Sequence, residues 1–213
     1  MVASGEFVGT ERRAHWERIY QQKQPNEVSW YQSDPTLSVT LVEAAGVLPD
    51  DPIIDVGGGA SLLVDRLLER GFRDLTVLDI ADTALAHVRL RLGAASGIAL
   101  IRADVTQFAS PRKYALWHDR AVFHFLTDPI DRRAYVAALT VALRPRAHVI
   151  IATFALDGPS RCSGLDVARY DPEGLASQLG SGFQLLRVEQ EQHITPAKRV
   201  QHFQYCLFRA DAS

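Results

Sequence analysis

Between Leu116 and Asp128 the sequence reads LWHDRAVFHFLTD, which sets His118, Asp119, Arg120 and His124 among large apolar residues. Three chemistries fit such a stretch: a metal site, acid/base catalysis, or the polar end of a buried strand. Spacing speaks against a metal, because His118 and His124 lack the i, i+4 interval of a helical ligand pair and no third ligand is evident. Proton transfer suits histidine best, its ordinary pKa lying near neutrality, with Asp119 as a further candidate. The structural alternatives are an internal Asp119–Arg120 ion pair and a His124 buried in the core against a backbone carbonyl.

A second group of residues lies upstream. The apolar run PIIDVG leads into DVGGGAS, so that Asp55 precedes Gly57, Gly58 and Gly59 and a helix follows directly. Glycines at a strand-to-helix turn let the backbone bend sharply and approach a ligand without a Cβ in the way. The next apolar run ends in VLDI and places Asp79 about twenty residues beyond the glycines, the interval at which an acid binds a ribose diol. A third run ends in RADV, where Asp104 can accept from an adenine amino group while Val105 and Ile80 contact the ring. Together these predict an adenosine-containing ligand. A nicotinamide fingerprint would need glycine at position 62, where Leu62 stands, and no Gly-Lys-Ser/Thr phosphate loop lies near the turn.

Such residues must be positioned by regular elements. From Pro52 onward, short β-rich runs alternate with helical ones: SLLVDRLLERG after the glycines, then LTVLDI, DTALAHVRLRLG, IALIRADV, YALWHD, DPIDRRAYVAALTVAL and HVIIATF. This alternation predicts an α/β fold, a doubly wound and mostly parallel sheet with helices on both faces. A loop rich in Gly, Pro and Ser, ALDGPSRCSGLDVARY, follows, then a helix over DPEGLASQLG. Two strand-like stretches, FQLLRVEQEQHI and VQHFQYCLFRA, predict an antiparallel hairpin at one edge. Upstream, the first ten residues read as mobile chain, ERRAHWERIYQQ as a short amphipathic helix, and DPTLSVTLVEAAGVLP as a second helix capped by Asp34. Trp30 and Tyr31 on the linker between them either cover a ligand or pack the helices onto the body. Cys162, Ser163 and Tyr170 in the later loop are candidates for a substrate wall.

At 213 residues, with 47% apolar and 23% charged residues, the chain suits one domain with a proper core: residues 1–213 form one unit, with a cap over about 11–48 and an α/β core over about 52–210. A formal net charge of -2 gives no field for binding nucleic acid. Arg66, Arg70, Arg73, Arg89 and Arg91 read as solvated helix faces. Cys162 and Cys206 are too few for a disulfide framework, which predicts a reducing, cytoplasmic setting. No signal peptide or membrane-length apolar run is present, and a soluble protein is expected.

The ordered set of DVGGGAS, VLDI, RADV, the His-Asp-Arg stretch and LRPRAHVIIATF resembles the class I S-adenosylmethionine-dependent methyltransferases, from about Trp16 to Phe208. Two positions depart from the family pattern: Ser61 stands where a third glycine is common, and Arg146-Ala147 replace a glycine pair. The resemblance implies a Rossmann-like seven-stranded sheet with a helical N-terminal cap. It implies S-adenosyl-L-methionine as cofactor and S-adenosyl-L-homocysteine as product. It places Gly57, Gly58 and Gly59 near the methionine end of the cofactor, has Asp55 organising that loop, and gives Asp79 the ribose and Asp104 the adenine. His118 would emerge beside the sulfonium methyl, touching cofactor and acceptor, with Asp119 and His124 next to it and Trp30 and Tyr31 as lid. DRAVFHFLTDPIDRRAY is similar to small-molecule thiol methyltransferases, and the N-terminal Trp-Tyr arrangement to small protein-lysine methyltransferases. The Asn/Asp-Pro-Pro-Tyr/Phe motif of base and glutamine amino methylation is not in the sequence. The expectation is methyl transfer to a small thiol or nitrogen acceptor. A protein lysine and a cofactor-binding protein without transfer are the alternatives.

Overall fold

The computed structural model describes residues 3–93 and 97–212, with side chains from Gly9 onward. Its elements in chain order are helix α1 (Ala3–Gln22), α2 (Thr36–Ala44), strand β1 (Ile53–Val56), α3 (Leu63–Glu69), β2 (Leu75–Asp79), α4 (Asp82–Leu92), β3 (Ala99–Arg102) and β4 (Tyr114–Arg120). There follow α5 (Pro129–Ala142), β5 (Leu143–Phe154), a two-stranded hairpin β6 (Arg161–Cys162) and β7 (Leu165–Asp166), α6 (Pro172–Leu179), β8 (Phe183–Ile194) and β9 (Val200–Ala210).

Seven strands form one sheet in the order β3-β2-β1-β4-β5-β9-β8. β1 to β5 run parallel, and β9 lies antiparallel to both β5 and β8. The strand order reverses at β1, which pairs with β2 on one side and β4 on the other, and ligands bind such sheets beyond the carboxyl ends at that point.

Side chains alternate across the sheet and divide the core into two layers. Ile53, Leu75, Val77, Leu116 and Ile150 pack against α2, α3 and α4, whereas Ile54, Val56, Trp117, Val149 and Ile151 pack against α5 and α6. The central strand β1 is buried along its whole length, as a parallel strand covered on both faces must be.

Local signals set most boundaries. Asp128 and Asp171 cap α5 and α6, each accepting a main-chain N–H from the first turn, with Pro129 and Pro172 opening the helices. Asp34 does not cap α2: that helix starts after Pro35 with no side-chain cap, and Asp34 lies 3.9 Å from Arg66. α1 begins at Ala3, well before the amphipathic stretch predicted from the sequence. At Gly9 the helix passes the turn after β3, where a Cβ would come within 3.3 Å of Gln107 Nε2. The loop after β5 contains the short β6–β7 hairpin, which the sequence reading left as irregular chain. Among the described residues no helix is long and apolar enough to cross a membrane.

Strand β5 starts earlier than its apolar run predicts and slips register opposite Tyr114 and Leu116. Arg146 sits in this stretch at φ +60°, a left-handed conformation that strains a side chain and explains why glycine suits the position. Arg146→Gly should therefore raise the free energy of unfolding by about 0.5–1 kcal/mol, measured by urea denaturation.

Candidate active site

A cleft opens where β1, β2 and β4 end, floored by the turns after these strands and roofed by α1 and the segment around Trp30. The floor begins with the glycine turn. Gly57 has φ +66°, and a Cβ there would fall 2.1 Å from Val122 Cγ2; Gly59 has φ +21°, and a Cβ there would fall 2.6 Å from Asp79 Oδ2. Glycine is required at both positions, by conformation and by close approach. Ser61 accepts the Leu63 N–H through its hydroxyl and so supports the start of α3.

Asp55 lies just before this turn, buried at 3% exposure. His118 Nδ1 lies 2.7 Å from Asp55 Oδ1, and His118 Nε2 lies 3.0 Å from the Ser38 hydroxyl, both within hydrogen-bond distance. Asp55 Oδ2 is equally buried and has no hydrogen-bond partner among the described residues, with Gly58 directly against it. A second, adjoining cavity is lined by Asp55, Gly57, Gly58, Ser38, His118 and Arg120.

Asp79 ends β2 and accepts the Ala81 N–H at 2.9 Å, turning the chain into α4. Burial pushes its carboxyl up to about 7, against the pull of the Ala81 and Ile80 main-chain groups. Ile80 and Val105 line the cleft beside it. Asp104 accepts from Thr106 N at 2.9 Å and from the Thr106 hydroxyl at 2.8 Å. It also pairs with Arg12 Nη1 at 2.8 Å, while Arg12 Nη2 reaches Asp131 at 2.6 Å.

Arg12 escaped the sequence reading, as did Glu17, whose carboxylate accepts from Asp82 N, Thr83 N and the Thr83 hydroxyl at the start of α4. These two residues fasten α1 over the cleft. Trp16, between them in sequence, meets Trp30 and Phe125 edge-on at centroid distances of 5.7 and 4.9 Å. Trp30 thus belongs to an aromatic roof. Tyr31 is half-buried and is not among the cleft's lining residues.

The stretch LWHDRAVFHFLTD resolves into a strand end and the turn that follows it. Side-chain alternation sends His118 and Asp119 to opposite faces of the sheet. Asp119, fully buried, accepts from Val122 N at 2.9 Å, Phe123 N at 3.1 Å and the Tyr135 hydroxyl at 2.7 Å, and that hydroxyl in turn accepts from Trp117 Nε1. Burial raises Asp119 to about 6, partly offset by these donors. The alternative considered for this pair, an internal ion pair between Asp119 and Arg120, does not form: Arg120 pairs with Glu191. His124 is buried among Phe125, Phe154 and Phe203, where burial and then Arg120 depress its pKa to about 3. The Phe154 N–H approaches its Nδ1 at 3.4 Å, so a main-chain donor rather than a carbonyl meets the ring. Neither Asp119 nor His124 lines the cleft, and Tyr170 packs under Phe123 on the α5–α6 side. Cys162 and Ser163 belong to the β6–β7 hairpin, whose Cys162 Sγ lies 3.7 Å from Ser29 Oγ.

The residue missed closest to the site is Arg120, at the end of β4. Nε donates to the Tyr205 hydroxyl at 2.7 Å, Nη1 to the Trp30 carbonyl at 3.0 Å and Nη2 to Glu191 at 3.1 Å, with Phe203 beneath the guanidinium. A charge at the end of a central strand was the available signal, because such a charge must be compensated.

This strand order, with acids at the ends of β1 and β2 and in the turn after β3 around a glycine turn, is the architecture of the class I methyltransferase fold. The sequence profile of the nodulation protein S (NodS) family matches residues 38–157, and the chain belongs to that family. It is similar to nodulation protein S of Sinorhizobium fredii, 32% identical over 108 residues that cover 51% of this chain and 49% of that protein. It is also similar to the eEF1A lysine and N-terminal methyltransferase of Danio rerio, 31% identical over 77 residues covering 36% of this chain and 11% of that protein. The chain thus spans about half or less of the curated relatives it matches. Among solved structures, the Burkholderia thailandensis 1,6-didemethyltoxoflavin-N1-methyltransferase superposes with a TM-score of 0.76 at 18% identity, over 99% of this chain and 92% of that one. Bradyrhizobium japonicum NodS with bound S-adenosylhomocysteine gives 0.67 at 17% identity over 91% and 97%. At these identities the superpositions bear on the fold.

Two outcomes follow from this geometry. Asp119→Ala, which strands three buried donors, should lower the free energy of unfolding by about 3 kcal/mol in urea denaturation. Ribose hydroxyls donate to an ionised carboxylate, so a bound adenosine ligand favours the deprotonated form of Asp79. Affinity for S-adenosylhomocysteine should therefore rise with pH up to about 7 and level off above it, with calorimetry registering proton release on the acid side.

Proposed function

We propose that this protein transfers a methyl group from S-adenosylmethionine to a small-molecule acceptor through a thiol or nitrogen nucleophile. The observation carrying the cofactor half of this reading is Asp55 Oδ2, a buried carboxylate oxygen without a partner beside the glycine turn, which suits the ammonium of an amino-acid tail. Asp79 fits a ribose diol. Asp104 Oδ2, engaged by Arg12 alone among the described residues, keeps lone pairs for an adenine amino group. Bound there, S-adenosylmethionine supplies an electrophilic methyl on its sulfonium and leaves as S-adenosylhomocysteine.

The protein's own contribution is positioning and exclusion of water. His118 has both ring nitrogens engaged, Asp119 caps a turn, and His124 stands in an aromatic cluster, so none of the three is placed to take a proton from an acceptor at the cleft. The acceptor then attacks as a lone pair already free near neutral pH or as a thiolate of lowered pKa, and rate comes from alignment. The aromatic roof of Trp16, Trp30 and Phe125 keeps water from the cleft.

A small acceptor is supported by the enclosure. α1 lies across the cleft, and the β6–β7 hairpin touches the cap at Ser29, so both narrow the approach to an aromatic-walled cleft that a small molecule fits more readily than a polypeptide. The methyltransferase named for 1,6-didemethyltoxoflavin, with that compound bound, points the same way. The rival acceptor, a protein lysine, has the similarity to the eEF1A methyltransferase behind it.

The test is transfer of labelled methyl from S-adenosylmethionine into a cell lysate, fractionated by size, with Asp79→Ala as blank. Label should enter the small-molecule fraction and vanish with Asp79→Ala. Label on a protein band would transfer the assignment to the lysine rival. Binding of the cofactor with label in neither fraction would leave a cofactor-binding protein without transfer.

A further inference from the structure

Beyond the residues assigned to the cofactor, the main cleft is lined by Trp16, Trp30, Val122, Phe125 and Leu126, with the Arg120 side chain set among them. A guanidinium at 9% side-chain exposure in such a wall is costly unless it is compensated. Compensation here is partial. Glu191 Oε2 meets Arg120 Nη2 at 3.1 Å, but the same oxygen accepts from the Tyr205 hydroxyl at 3.1 Å, and Glu191 Oε1 accepts from Gln32 Nε2 at 2.8 Å. One carboxylate is thus divided among three donors, while the other partners of Arg120, the Tyr205 hydroxyl and the Trp30 carbonyl, bring no charge. Arginine has five N–H donors. Three of them serve Tyr205, Trp30 and Glu191 among the described residues, which leaves one N–H on each terminal nitrogen. The remaining positive field reaches the surroundings: after burial, Arg120 is the next cause lowering the pKa of both His124 and His193.

From this geometry we infer that Arg120 determines acceptor specificity by selecting a small molecule that carries an oxyanion, such as a carboxylate, besides its thiol or nitrogen nucleophile. The inference rests on the small-acceptor reading above and narrows its substrate class. The N–H groups left on Arg120 donate to the anion's oxygens, and the aromatic and aliphatic residues around them take the apolar body of the acceptor. Glu191 and Tyr205 act as positioning residues. Together with the Trp30 carbonyl and the Phe203 ring they hold the guanidinium in place, so little side-chain freedom remains to be lost on binding. The same guanidinium repels a cation, so an acceptor bearing an ammonium group at this wall is selected against.

The test compares two probes of the same shape, benzoate and the neutral benzamide, by ligand-observed NMR titration in saturating S-adenosylhomocysteine. The unaltered protein should bind benzoate about 10- to 100-fold more tightly, the range of a charge-assisted hydrogen bond. Arg120→Gln should bring the two probes to within about threefold of each other. Tyr205→Phe, which removes one positioning contact, should lower the preference severalfold. If Arg120→Gln does not fold, Arg120→Lys is read by the same ratio and should keep part of the preference, having the charge without the fork. In the labelling experiment above, the methylated small molecule should be retained on an anion exchanger at about pH 12, above the ordinary pKa of amines. Benzoate bound no better than benzamide by the unaltered protein, or a labelled small molecule that passes the exchanger, overturns the inference and leaves the small-acceptor reading standing. An undiminished preference in the Arg120 variants overturns it as well. An equal loss for both probes does the same, making Arg120 a prop for the Trp30 segment, and a loss of S-adenosylhomocysteine affinity with the benzoate preference intact makes it a cofactor ligand instead. Label on a protein band removes the small-acceptor reading and this inference with it.

Discussion

Asp55 is a buried carboxylate in the middle of the sheet, and the neighbouring elements are arranged so as to tolerate it. It pairs across β1 and β4 with His118, which in turn is held by Ser38 from α2, so one ion-dipole chain links the two strands at the reversal point to the helix covering them. Removing one partner from such a chain leaves polar groups buried and unpaired, which is more costly than never having placed them there. The chain also fixes the direction of the second carboxylate oxygen. With Oδ1 taken by the imidazole, Oδ2 must face the glycine turn, and Gly58 leaves room for it. The polar centre of the site is thus a consequence of how the sheet is stitched together at its central strands.

A second constraint holds the roof. The described side chains of α1 hold it to the body largely through polar contacts: Arg12 to Asp104 and Asp131, Glu17 to the first turn of α4, with Tyr20 and Trp16 filling between. Such partly buried, charge-assisted contacts are strong when aligned yet separable as a group. A helix fastened in this way can cover a cleft without being part of the fold's core. Asp104, the acid proposed above for the adenine edge, is one of its fastening points, so roof and floor of the cleft meet on a single carboxylate.

The three groups that looked fit for acid/base work are used for structure. Asp119 caps the turn that carries Val122 and Phe123 into the cleft wall, His124 fills an aromatic cluster, and His118 orients Asp55. This is consistent with methyl transfer as a displacement reaction, in which alignment of nucleophile and leaving group supplies most of the acceleration and a base is optional.

Much of the fold was legible from the sequence because it rests on local or periodic information. Apolar runs bounded by turns gave the five parallel strands and the edge hairpin, Asp-Pro pairs gave the starts of α5 and α6, and acids and glycines beside strand ends located the cleft. Period-two alternation even held the fact that His118 and Asp119 face opposite sides of the sheet, though not what meets them there. Partners were beyond reach: Arg12 lies 92 residues from Asp104, Ser38 lies 80 from His118, and Arg120 lies 71 from Glu191. Such pairs leave no periodic trace, since each side chain is an ordinary polar residue until packing removes water from both and forces them to satisfy each other. The sequence by itself determined the layers, the strand ends and the class of ligand. Only the tertiary structure decided which charged groups remain free to meet that ligand, because that depends on which of them the fold has already consumed.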